Sequence, residues 1–232
     1  MDADWTTPTL EGELVRLEPM SLAHEDRLWE ASRDARTWQW LSIEQPQTRE
    51  ELRAYLDAAL ANQADGTELP LVTVRRADGR VVGSTRYLAL RPEHRSLEIG
   101  WTWLAPEAWG TGINVEAKLL MLEHAFERLG CLRVELKTDA RNERSRGAMA
   151  ALPAQFEGVH RKQMLVRGGR RRDSAWYSII DDEWPEVRSN LLRRLGRREQ
   201  ELAHDLDRVG PVAEDTVPGL GVAPEGDELG RQ

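Results

Sequence analysis

The stretch Leu97-Glu98-Ile99-Gly100-Trp101-Thr102-Trp103-Leu104-Ala105-Pro106, followed by Trp109-Gly110-Thr111-Gly112-Ile113-Asn114, decides the reading of this chain. Residues 96–104 read as a strand, and the glycines come just before an amphipathic helix. Glycines placed after a strand let the loop turn so that successive backbone N–H groups converge, and the helix N-terminus adds partial positive charge. Together they can cradle a phosphate or pyrophosphate. The loop is not a Walker loop, because no Lys-Ser or Lys-Thr follows the second glycine. It is not a dinucleotide fingerprint either, because Val115 stands where a third glycine would be. From the glycines alone, an anion cradle and a tight structural turn are equally good readings.

Working downstream, Val115, Leu119, Leu122, Phe126 and Leu129 recur at helical spacing, and 132–137 alternates as a strand. A short helix is expected over 143–152, then a hairpin of 164–166 with 175–180 turning at Gly168-Gly169. Upstream, 70–75 and 81–87 form a hairpin around Ala77-Asp78-Gly79. Before it come a helix over 48–61 with Leu52, Tyr55, Leu56 and Leu60 on one face, a helix behind Ser21 carrying Leu22, Leu28 and Trp29, and a strand at 14–17. The sum is an α+β (mixed α/β) fold with a central mixed sheet of about six or seven strands flanked by helices. One βαβ crossover lies in its middle, and the sheet is not an all-parallel, doubly wound one.

Three segments are expected: a folded domain over 1–182, a C-terminal helical arm over 183–208 with Leu191, Leu192, Leu195 and Leu202, and a disordered acidic tail over 209–232. The arm reads as a docked helix, or as a contact that would leave a homodimer open. Formal net charge is -8, which argues against a nucleic-acid partner, since that needs a basic footprint. Cys131 is the sole cysteine, so no intramolecular disulfide forms, and the scattered histidines offer no metal-ligand spacing. No apolar run approaches a membrane span and the start shows no basic-then-apolar leader, so the expectation is a cytoplasmic protein with no membrane partner and no metal.

Strand, glycine loop, helix, strand and then Asn142-Glu143-Arg144-Ser145-Arg146 form an arrangement that resembles the GNAT superfamily of acetyl-CoA-dependent N-acetyltransferases. It looks closest to the branch that acetylates N-terminal amines of ribosomal proteins and diverse small amines. The resemblance covers about Leu10 to Trp184 and rests also on Thr9-Leu10-Glu11-Gly12-Glu13-Leu14-Val15-Arg16-Leu17, Glu98-Ile99-Gly100-Trp101 and Glu116-Ala117. It implies acetyl-CoA as co-substrate. Backbone groups of Trp101, Thr102, Trp103 and Leu104 would then pair with the pantetheine arm, and backbone N–H groups of Trp109, Gly110, Thr111, Gly112, Ile113 and Asn114 would hold the pyrophosphate. Asn142 would bind the pantetheine amides and Ser145 would donate to the departing sulfur. Three positions depart from the family pattern: Trp109 stands where Arg or Gln is usual, Asn114 where Gly or Ala is usual, and Pro153 where Gly is usual.

An amine must be neutral to attack a thioester, so a base near it is needed. Glu98 is the first candidate, with Glu135 and Asp139 in reserve; a structural salt bridge is the plain alternative. For Asn142 and Ser145 the plain alternative is helix capping. Trp38, Trp40 and Trp176 are candidates for substrate contact, against a core role. Arg161, Lys162, Arg167, Arg170, Arg171 and Arg172 read as a solvated basic hairpin, or as an attraction for the cofactor's phosphates or an acidic acceptor. Cys131 reads as a buried thiol rather than a nucleophile. The expected activity is acetyl transfer to a primary amine, either a protein N-terminus or a small molecule. The competing readings are an inactive acyl-CoA-binding module and a nucleotide-binding protein using the same glycines.

Overall fold

The computed structural model describes residues 4–209, with side chains through residue 196. Fourteen elements carry the architecture, in chain order: β1 (Leu10–Glu11), β2 (Val15–Pro19), α1 (Glu25–Ala31), α2 (Ala35–Trp38), α3 (Arg49–Ala64), β3 (Glu68–Arg75), β4 (Val81–Arg91), β5 (Ser96–Leu104), α4 (Ile113–Glu123), β6 (Arg133–Asp139), α5 (Glu143–Ala150), β7 (Gln155–Val166), β8 (Arg170–Ile180) and α6 (Trp184–Val209). The strands form one sheet of eight in the order β1-β2-β3-β4-β5-β6-β8-β7. The eighth arises because Leu10–Glu11 folds back on Arg16 and Leu17, a pairing too short to leave a periodic signal.

Every pairing is antiparallel except β5 with β6, which the α4 crossover makes parallel. Both faces of the sheet are covered. On β3, Leu69 and Leu71 enter the core under α4, while Val72 and Val74 enter a second cluster with Leu28, Trp38, Leu52 and Leu56 from the first three helices. That is why this strand reads as an unbroken apolar run.

Two local features open the middle of the sheet. The β5–β6 ladder stops at Glu98↔Glu135, although β5 continues to Leu104 and β6 to Asp139. On the other side of β5 the pairs Arg86↔Gly100 and Ser84↔Trp103 enclose one residue on β4 but two, Trp101 and Thr102, on β5. This is a β-bulge, and Trp101 takes a left-handed φ of 51° within it. A bulge bends its strand and increases the local twist, so β5 turns away from β6 and the two part as a V.

Glu116, in the first turn of α4, ties the N-terminal segment to this region. Its carboxylate accepts backbone N–H groups from Glu13, Leu14 and Val15 at 2.8, 2.7 and 2.7 Å. Gly12 is required beside it: a Cβ there would collide with the Glu116 carboxyl carbon. Beyond Glu123 the helix widens into one turn with an i to i+5 bond, Leu129 N–H to His124 O at 3.0 Å.

Helix α6 runs through the segment expected as an arm. It begins docked: Trp184 stacks on Phe126 at 5.3 Å between centroids, Val187 and Leu191 are buried and Leu195 packs against the same core. Leu192 is exposed, whereas the side chain of Leu202 and the tail beyond Val209 lie outside the described residues.

Candidate active site

The V between β5 and β6 is a cavity of about 480 Å³, within the range of small-molecule sites. At one end it is lined by Thr37, Trp109, Gly110, Gly112, Asn114 and Arg144, along its walls by Trp101, Thr102, Trp103, Leu104, Lys118, Leu136, Asn142 and Ser145, and at the other end by Trp40, Ser42, Glu98, Lys137, Met164 and Arg172. A more open depression of about 740 Å³, between the N-terminal segment and the far end of α4, contains none of the candidate residues.

The glycine loop turns as its sequence suggests. Gly110 and Gly112 sit at φ of 74° and 95°, and Gly112 caps α4 from the left-handed region. Thr111 and Ile113 are absent from the cavity lining; the Thr111 hydroxyl donates to Ala108 O at 2.7 Å and Ile113 is buried in the core. Trp109 donates from Nε1 to Leu104 O at 2.8 Å, and the Arg144 guanidinium lies 3.8 Å from its ring centroid, with Arg36 at 5.6 Å. A position where the family pattern carries Arg or Gln is therefore a platform for arginines from α5 and α2.

Asn142 caps α5, its Oδ1 accepting the Ser145 N–H at 3.1 Å while Nδ2 donates to Thr138 at 3.1 Å. Both residues still line the cavity, so capping and a role in the cavity coexist. The turn that follows α5 runs over Ala151–Pro153.

At the far end Glu98 is 2% exposed and accepts from Lys137 Nζ at 2.9 Å. Burial raises its carboxyl above the ordinary range, against the lowering pull of Lys137. The two reserve carboxylates differ. Asp139 is lowered by bidentate hydrogen bonds from Arg141, and Glu135 is held by Arg91 at 2.6 Å and Arg133 at 3.0 Å. Burial thus pushes the proton affinity of Glu98 upward, which is what a general base working near neutrality needs.

Of the tryptophan candidates, Trp40 lines the cavity. Trp38 is fully buried, packs on Trp103 at 5.2 Å and donates to Ser32 O at 2.8 Å, so it belongs to the core beneath the roof. Trp176 faces Lys137, whose Nζ lies 4.8 Å from its ring, and His160 at 5.0 Å; it does not line the cavity. Cys131 is buried, which pushes its thiol up to about 11.

The basic hairpin is not uniformly solvated. Arg167 clamps the roof, donating its N–H to Ser42 O at 2.9 Å and its guanidinium to Gln39 O. Arg172 is 8% exposed and turned to the cavity. Lys118 was missed: it is buried, its Nζ donates to Thr102 at 3.1 Å, and burial lowers it to about 7. The signal was present, since Lys118 lies three residues after Val115 and four before Leu122, within the apolar stripe. For Arg172, alternation with the buried Ser174 and Ser178 marks an inward position on β8.

A family model described as an acetyltransferase (GNAT) domain matches residues 15–154. Among curated proteins, YdaF of Bacillus subtilis, provisionally named a ribosomal N-acetyltransferase, is 33% identical over 107 residues, covering 46% of this chain and 57% of YdaF. The match therefore spans less than two thirds of that relative. A crystal structure from T. thermophilus, provisionally described as an acetyltransferase, is 39% identical with a TM-score of 0.76, covering 83% of this chain and 100% of that one. Mycobacterium smegmatis RimJ, solved in complex with CoA-disulfide, shares the fold at 23% identity and a TM-score of 0.71, over 83% and 97% of the two chains.

Proposed function

The chain belongs to the GNAT acetyltransferase family, and from that premise we propose that it transfers an acetyl group from acetyl-CoA to a primary amine by direct attack, with Glu98 as the base. The observation that carries this reading is the cavity where β5 and β6 part, which runs from a glycine loop at a helix N-terminus to a buried carboxylate. The complex of CoA-disulfide with RimJ, a protein of the same fold, supports a coenzyme A ligand. The provisional name of YdaF keeps a protein N-terminus among the acceptors, beside small amines.

Acetyl-CoA, when bound, supplies the activated acetyl thioester. Main-chain groups of Trp101, Thr102, Trp103 and Leu104 take the pantetheine arm as an added strand, on the edge that β6 leaves free. The Trp109 N–H already donates to Pro106 O at 3.0 Å, so backbone N–H groups of 110–114 take the pyrophosphate, whatever side chains stand at Trp109 and Asn114. Glu98 accepts the proton of the incoming ammonium, directly or through a water, and Ser145 donates to the departing sulfur. Trp40 borders the acceptor.

The test is calorimetric binding of acetyl-CoA against free CoA and ATP, then thiol release with a panel of amines and N-terminal peptides. Binding with release sustains the reading. Binding without release across the panel favours the inactive module, and preference for ATP removes the coenzyme A reading altogether.

A further inference from the structure

Three successive inward positions of β8 carry polar groups that no described residue satisfies: Nε of Arg172, Oγ of Ser174 and Nε1 of Trp176. Their period of two puts them on one face of the sheet, beside Asp139 and Lys137 of β6, with which Ser174 and Trp176 are in register. Arg172 is paired in register with Met164 across the hairpin, and both line the acceptor end of the cavity. A bulge in β7 between His160 and Met164, held by the Lys162 N–H bonding Asp173 at 2.6 Å, fixes that alignment.

The acids around Arg172 are committed elsewhere. Glu98 holds Lys137 and Asp139 holds Arg141. Glu98 and Asp139 are near enough for their charge to act on Arg172, yet among the described residues none forms an ion pair with it. Desolvation opposes its charge, and a buried guanidinium without an anion is costly. One that opens on a cavity has an obvious remedy in the ligand.

We propose that Arg172 receives a carboxylate of the acceptor, so that the substrate is an amine that also bears a carboxylate, held with its nitrogen toward Glu98. This rests on the acetyl-transfer reading above and narrows it. The carboxylate can be that of a free amino acid or the side chain of an acidic N-terminal residue.

The experiment measures kcat/KM at saturating acetyl-CoA for matched pairs: free amino acids against their amides, and peptides beginning with Asp or Glu against those beginning with Asn or Gln. The wild type, Arg172→Gln and Arg172→Lys are compared. In one of the two sets, the carboxylate-bearing member is expected to be favoured by about 30-fold or more. Arg172→Gln abolishes that preference, Arg172→Lys restores part of it, and acetyl-CoA affinity stays within about 2-fold of wild type, which also shows that the variants fold. The set that shows the effect identifies the source of the carboxylate. Equal rates within both sets, an equal loss for both members in Arg172→Gln, or release with carboxylate-free amines alone overturns the assignment while leaving acetyl transfer standing. Absence of acetyl-CoA binding by the wild type removes the acetyl-transfer reading, and this assignment with it.

Discussion

The guanidinium of Arg144, from the first turn of α5, lies 3.8 Å from the centre of the Trp109 ring at the mouth of the glycine loop. The two are far apart in sequence and belong to different elements, yet together they present a cation where the family pattern carries an arginine or glutamine in the loop itself. Removing either should weaken acetyl-CoA binding. Arg144→Ala and Trp109→Ala are each expected to raise Kd about 10-fold, roughly one charged contact. Because they act as one unit, the double variant should lose little more than either alone. Calorimetry reads this, and additive losses would separate the two residues.

Glu98 has its carboxyl pushed above the ordinary range by burial. If it takes the amine's proton, kcat/KM rises with pH as this group ionises, with a midpoint above that of an ordinary glutamate. Glu98→Gln should lower kcat about 10²- to 10⁴-fold and flatten that limb of the profile. A pH-rate curve unchanged in the variant would transfer the role elsewhere.

Glu116 satisfies three backbone N–H groups of the N-terminal segment. Glu116→Ala strands these donors, that of Val15 buried and those of Glu13 and Leu14 partly so, at a cost of about 1 kcal/mol each. Urea unfolding should show a loss on the order of 3 kcal/mol, whereas a loss below about 1 kcal/mol would mean that water replaces the carboxylate freely.

Lys118 titrates near 10.5 when exposed and at about 7 in its buried place. Between those values the unfolded chain binds the extra proton and the folded one does not, so stability rises with pH across that window. The burden of Lys118 is therefore full below pH 7 and fades toward pH 10.5, on the order of 5 kcal/mol in all. Lys118→Met should raise the stability at about pH 6 markedly more than at about pH 10. Equal gains at both would contradict a neutral buried lysine.

Much of this was legible in the chain. The strand over 96–104, the glycine turn and Asn142-x-x-Ser145 stand where periodicity and turn chemistry put them, because each is fixed by local sequence. The first half of β7 was not: residues 155–163 form an edge strand with mostly exposed side chains and no apolar alternation, held by its ladder to β8. Lys118 was missed, and Arg172 could not be told apart from its solvated neighbours in the hairpin, for the opposite reason. A charged residue reads as solvent-facing until its neighbours' period is weighed above its own polarity. The Trp109–Arg144 stack depends on α5 coming to rest beside the loop, which no local pattern encodes.

The central claim, that acetyl-CoA lies in the V between β5 and β6, is tested most directly by amide hydrogen exchange with and without acetyl-CoA. Protection confined to segments spanning 101–104 and 109–114 is the predicted result, since these segments form the edge of β5 that β6 leaves and the glycine loop at the start of α4. Unchanged exchange in both segments under saturating acetyl-CoA, or protection around the depression beside α4 instead, would contradict it.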